Sequence, residues 1–160
     1  FEQVVSQLTL IMCFQSLILD MAGNVGTQSL AVTIRVLMDE SLTGKQKLQL
    51  VFKEMRIGFC NGLLLGVLSF AVIGLFIFLF KGKTMMFAFS VSACIGIALL
   101  LAMLISSAVG TCIPLFFKKI NIDPAVASGP LITTVNDLVA VITYYGLSWI
   151  FLLEMLHLAG

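Results

Sequence analysis

Asp137 stands within an apolar stretch running from Ala125 to about Leu156, in the local sequence TTVNDLVAV. An aspartate at the centre of a membrane helix costs roughly 2.5–3.5 kcal/mol on insertion scales. Such a group is retained where it faces a bundle interior or a water-filled path, and there it acts on cations or protons. Pro130, Thr133 or Thr134, Asp137, Val141 and Tyr144 follow i, i+3/i+4 spacing, a partly polar stripe on one helix face. Pro130 has no amide proton and, inside a helix, would free the carbonyl of Val126. A carboxylate beside hydroxyls and loose carbonyls suits a hard cation. Magnesium prefers octahedral oxygen ligation, sheds its waters reluctantly and is held by one or two carboxylates through its hydration shell. One Asp137 per chain is thin for a divalent ion, whereas two from a symmetric dimer suffice. The alternative is a protonated or hydrogen-bonded aspartate packed between helices.

A second polar cluster, AGNVGTQ, lies far upstream. Gly23 and Thr27 stand four apart on one face with Gly26 beside them, and Asn24, Thr27 and Gln28 supply neutral oxygens. Small residues let backbone carbonyls approach a neighbouring helix or a pore. The same composition also describes a glycine hinge whose polar groups are satisfied between helices. Asp20 is one turn before Asn24, and its depth is open at this level. Gly58, Gly62 and Gly66 form a double GxxxG, a smooth stripe for close helix packing, to which Asn61 can add a hydrogen bond.

The elements that carry these residues follow from composition. The 160 residues are 60% hydrophobic and only 11% charged, with a mean hydropathy of +1.13. Soluble domains are about a quarter charged. In hydrocarbon every backbone polar group needs an internal partner, so only helices and closed barrels span. The apolar runs are too long, and alternate too little, for barrel strands. An all-α, polytopic membrane helix bundle is expected, with four transmembrane helices over about 4–38, 57–80, 85–117 and 124–156. The whole of 1–160 reads as one membrane domain, embedded in a lipid bilayer.

The first run is over-long: 35 helical residues would measure ~52 Å against a ~30 Å hydrocarbon core. It is expected to break near its glycines, tilt or protrude. Pro114 is expected to kink the end of the third run. Asp123 before Pro124 is a strong N-cap for the fourth. The stretch 39–56 reads as a polar loop able to form a surface helix. Arg35, Lys45, Lys47, Lys53, Arg56, Lys118 and Lys119 fall on one side, against Lys81 and Lys83 on the other. That asymmetry places the first and third loops in the cytoplasm. Both ends of the piece then lie outside, so a longer parent with a cytoplasmic N-terminus needs an odd number of further helices upstream.

The basic residues make no large patch, so nucleic acid is not an expected partner. Cys13, Cys60, Cys94 and Cys112 lie one per apolar run without a CxxC pair and read as buried apolar thiols in preference to a soft-metal site. His157, at the last helix end, reads as interfacial. The start at Phe1 and Glu2 lacks a basic n-region and a cleavage signature, so a signal peptide is not expected and a fragment of a longer protein is.

These residues resemble the transmembrane domain of the MgtE family of magnesium channels and transporters, relatives of solute carrier family 41. The likeness is carried by AGNVGTQSLAVTIRVL (Ala22 to Leu37), KEMRIGFCNGLLLGV (Lys53 to Val67) and IDPAVASGPLITTVNDLVAVITYYGL (Ile122 to Leu147). The resemblance implies a homodimer with the ion path between subunits, lined by the family's second and fifth helices. It implies that Asp137 holds hydrated Mg2+, with Thr133 one turn away. It implies a pore lining that includes Gly23, Asn24, Gly26, Thr27, Thr134 and Asn136. The family has five helices, so this chain resembles the last four. The first helix and the cytoplasmic regulatory domains of bacterial members have no counterpart in it. Where those members have a double glycine before asparagine, this chain has Ala22 and Gly23.

The expected activity is therefore membrane transport of divalent cations, chiefly Mg2+, with Mn2+, Co2+ or Ca2+ as further candidates, at a multi-pass cell membrane of prokaryotic type. No enzyme activity is expected. The competing enzyme class is an intramembrane aspartyl protease using Asp20 and Asp137, whose two carboxylates could share a proton. Its GxGD and YD contexts are missing: the sequence reads LILD and VND.

Overall fold

The computed structural model describes residue 9 and residues 12–39, 42–126 and 129–158, with side chains to residue 151 apart from that of Asp39. Its long elements are α1 (Gln15–Asp39), α2 (Gly44–Phe80), α3 (Met85–Lys119) and α4 (Gly129–Leu158), with a 3-10 turn, Pro124–Val126, before α4. Among the described residues there is no strand, and the fold is an all-α bundle. Gly44–Phe80, Met85–Lys119 and Gly129–Phe151 are long and apolar enough to cross a membrane. The four long helices expected from the sequence are present, although α1, over its described residues, is less apolar than the other three and does not meet that measure. The reason is compositional: Asp20, Asn24, Thr27 and Gln28 interrupt its apolar run.

Several boundaries differ from expectation. α1 runs unbroken through Asp20 to Gln28. The expected loop 39–56 is largely absent, because α2 is helical from Gly44. A capping box starts it: Thr43 Oγ1 accepts from the Gln46 amide at 3.5 Å, and Gln46 Oε1 accepts from the Thr43 amide at 2.8 Å. No proline follows until Pro114, so nothing stops the helix before the membrane run. Its 37 residues span ~55 Å, so the charged first turns extend beyond a ~30 Å core. Pro114 is buried inside α3 and does not end it. Asp123 caps only the 3-10 turn, with Oδ1 accepting from the Ala125 amide at 2.9 Å. Pro130 falls in the first turn of α4, where an amide has no helical partner anyway, so the expected freed carbonyl of Val126 is not part of that helix.

α3 is the central post. It packs against α1, α2 and α4, and α1 also packs on α4. The core combines Ile18, Ile73, Ile77, Val91, Ile95, Leu99 and Tyr144 with Ala22, Ala88, Ala98, Ala102 and Ala140. These alanines bring helix backbones close.

The α2–α3 seam is closer still. A Cβ on Gly62 would lie 2.8 Å from Leu100 Cα, and one on Gly66 would lie 2.8 Å from the Gly96 carbonyl oxygen. Gly58 faces Ser107 and Met103 in the same way, and Gly74 faces Phe89 and Ser92. The pairings descend along α3 as they ascend along α2, so the two helices are antiparallel. The same buried stripe includes Glu54, only 3% exposed, with Oε1 unpartnered; the sequence pattern had put it in a loop. The other face of α2 exposes Leu64, Val67, Leu68, Val72, Leu75 and Leu79, an apolar surface suited to hydrocarbon.

A second close approach joins three helices. A Cβ on Gly110 of α3 would strike the Gly26 carbonyl of α1, and a Cβ on Gly26 would strike the side-chain amide of Asn136 on α4. Asn136 is fully buried, and neither polar atom of its amide has a partner among the described residues. The contact fixes how deeply α1 and α4 sit against α3.

The cysteines are free; Cys94 is buried, but Cys13, Cys60 and Cys112 are exposed on the bundle surface, contrary to the expectation of four buried thiols. The side chain of His157 lies outside the described residues.

Two substitutions test these seams. Gly66→Val should lower stability in detergent by about 1–3 kcal/mol through overpacking, while Gly44→Ala, which meets nothing within 4 Å, should leave the unfolding midpoint almost unchanged. Gly26→Ala should also destabilise, and adding Asn136→Ala should recover part of that loss, a non-additivity that a double-mutant cycle of unfolding midpoints would read out.

Candidate cation-binding groove

The site begins with two helical stripes. On α1, Ser16, Asp20, Gly23, Asn24 and Thr27 recur at three- and four-residue spacing and share one face; on α4, Thr133 and Asp137 do the same. α1 and α4 lie side by side and antiparallel. Tyr145 Oη donates to Gln15 Oε1 at 2.6 Å near one end, and Gly26 meets Asn136 further along. Along this helix pair the stripes face each other across a groove of about 390 Å³, lined by Ser16, Leu19, Asp20, Gly23, Asn24, Thr27, Thr133 and Asp137. Six waters at ~30 Å³ each occupy roughly 180 Å³, so the groove has room for a cation with its octahedral water shell.

The lining presents hydrogen-bond acceptors. Thr27 Oγ1 donates its proton to the Gly23 carbonyl at 2.9 Å, shared with Asn24 at 3.0 Å. Thr133 Oγ1 donates to the Gly129 carbonyl at 2.8 Å. Each hydroxyl has thereby committed its single donor to the helix backbone and offers only lone pairs elsewhere. Asn24 Nδ2 points to Asp20 Oδ2 at 3.4 Å, leaving the amide oxygen available. Asp137 is half-buried, and among the described residues its carboxylate has neither a hydrogen bond nor an ion pair. Water molecules bound to a metal ion point their hydrogens outward, so a ring of acceptors is the complement of a hydrated cation.

The structure sorts the expected pore residues. Gly23, Asn24, Thr27, Thr133 and Asp137 line the groove. Gly26 and Asn136 do not: both are buried in the three-helix contact. Each is one residue from a lining position, and one residue turns a helix by about 100°, enough to carry a side chain from the groove into the interface. Thr134 is exposed outside the groove and bonds to the Pro130 carbonyl at 2.8 Å. Asp20, Ser16 and Leu19 line the groove without having been assigned to it. Extending the Asn24 stripe backward by four and eight residues would have found Asp20 and Ser16.

No group of three or more histidine, cysteine, aspartate and glutamate side chains converges among the described residues.

Comparison with known proteins identifies the family. A family model, MgtE, described as a divalent cation transporter, matches residues 15–147. The magnesium transporter MgtE of Bacillus subtilis (strain 168) is 34% identical over 152 residues, covering 95% of this chain and 32% of the relative. The protein of the same name from Enterococcus faecalis is also 34% identical, with the same coverage. That of Thermus thermophilus is 28% identical over 144 residues, 90% of this chain and 30% of the relative. The chain thus spans about a third of the length of the curated relatives it matches. These relatives are named as transporters and none as a protease, so the protease alternative is set aside. The chain belongs to the MgtE family of divalent cation transporters.

Proposed function

We propose that residues 1–160 form an ion-conducting membrane domain that carries Mg2+ as a hydrated ion, with Asp137 as its principal binding group. The observation that carries this is the groove between α1 and α4: it is lined by acceptors, it holds a carboxylate, that of Asp137, without a partner among the described residues, and it has room for a water shell. The relatives' name, magnesium transporter, points to the same substrate.

The groove is open on one side of the bundle, and Asp20 and Asn24 are exposed there. A carboxylate left facing lipid would carry the full penalty of charge in hydrocarbon. A second copy of the chain is the partner that fits: two such grooves apposed across a two-fold axis enclose a water-filled path and bring a second Asp137 to the ion. The homodimer, the first family helix and cytoplasmic regulatory domains of a longer parent belong to this reading. In the path, Asp137, Thr133, Thr27 and Asn24 accept hydrogen bonds from the ion's waters. Selectivity then comes from path width and hydration: magnesium keeps its shell, and an ion that prefers direct carboxylate ligation gains less from acceptors set back by one water.

Two outcomes follow. Asp137→Ala should abolish selective Mg2+ uptake, and the variant should fail to restore growth of a strain lacking magnesium uptake; growth equal to wild type would refute the assignment. An exchange-inert cobalt hexaammine complex, which presents an octahedral array of donors and cannot be stripped, should compete with Mg2+ for the groove. A measured flux indifferent to saturating complex would exclude outer-shell binding.

A further inference from the structure

We propose that Asp20 is a second cation station in the same groove, an entry site that gathers the hydrated dication and passes it to Asp137. This rests on the function proposed above and assigns a role to a carboxylate that function does not use.

Asp20 lines the groove with Asp137 and is exposed. Asn24 Nδ2 donates to its Oδ2 over a long 3.4 Å. A neutral amide at that distance orients the carboxylate without neutralising it. The helix register places it along the path. Gly26 meets Asn136, and from that level Asp20 is six residues back on α1 while Asp137 is one residue on along α4. Because the helices are antiparallel, both steps lead toward the Gln15–Tyr145 end. At 1.5 Å per residue the two carboxylate-bearing positions are offset by about 7–8 Å along the axis.

That offset matches the size of the cargo. Magnesium–oxygen distances of 2.0–2.1 Å make a hexahydrate roughly 7 Å across. An ion resting at Asp20 therefore reaches Asp137 by moving about its own width, exchanging one outer-shell acceptor for the next, with the hydroxyl of Thr27 and the Asn24 amide oxygen on the same wall. The Gln15–Tyr145 end is the one toward which α1 begins, and Lys81 and Lys83 flank the corresponding end of α2 and α3. By the lysine and arginine asymmetry that is the non-cytoplasmic side. Asp20 thus meets the incoming ion first.

The test is Mg2+ flux by the intact protein in liposomes, with Mg2+ supplied on the non-cytoplasmic side. Loss of a carboxylate about one hydrated-ion width from a dication should weaken its capture by roughly tenfold. Asp20→Asn and Asp20→Ser should each raise the half-saturating Mg2+ concentration by about that factor, with maximal flux within about twofold of wild type. Asp20→Glu should restore it, and Asp20→Lys should raise it further. Half-saturation should also depend less steeply on ionic strength in the neutral variants, because the screened charge is gone; a merely structural role would not move that slope. If the neutral variants keep wild-type half-saturation and salt dependence while Asp137→Asn abolishes flux, the entry station is refuted and the function of Asp137 stands. If Asp137→Asn also conducts normally, the functional reading itself falls.

Discussion

An aspartate cannot face hydrocarbon without a penalty of several kcal/mol, and this chain sets two, Asp20 and Asp137, on the same side of one helix pair. Much of the architecture answers that constraint. The acids are confined to a groove between α1 and α4, while the exposed face of α2 is given over to leucine, valine and phenylalanine. α1 is the most polar of the long helices over its described residues. Its polarity is concentrated on the groove, while Ile18, Ala22, Val25 and Leu30 are buried against its neighbours.

Holding a groove open requires walls that do not move, and here the walls are set by the absence of side chains. Gly26 and Gly110 let α1 touch α3 at backbone distance, and Asn136 fills the remaining space from α4. On the far side, Gly58, Gly62 and Gly66 let α2 lie directly on α3. Small-residue contacts of this kind hold helices together in lipid, where burial of apolar surface no longer drives association. α3 carries both contacts, so it ties α2 to the helix pair that forms the groove. The threonines then finish the site: by donating to their own helix, Thr27 and Thr133 turn amphoteric hydroxyls into acceptors.

Much of this was legible in the sequence, for identifiable reasons. Composition alone required helices. The glycine spacing on α2 named a packing face, and the Asp137 stripe named one wall of the groove. What the sequence concealed were rotations and ends. Periodicity places Asn136 beside Asp137 but cannot say that one points into the bundle and the other into the groove. The charged stretch after Asp39 looked like a loop because polarity outside the membrane does not distinguish a loop from a solvated helix, and only the Thr43–Gln46 capping box marks the start. Pro130 looked like a mid-helix breaker because α4 was taken to start at Pro124; it starts at Gly129. Asp20 was visible as a membrane acid, yet its partner across the groove lies more than a hundred residues away, beyond the reach of any local pattern.

The central claim is that Asp137 holds magnesium through water. The most direct measurement is a high-resolution structure of the intact protein with Mg2+ bound. The account predicts an octahedral water shell in the α1–α4 groove, with the ion about 4 Å from the Asp137 carboxylate oxygens, a water between them. A metal–carboxylate distance near 2.1 Å, or ion density only elsewhere in the molecule, would contradict it.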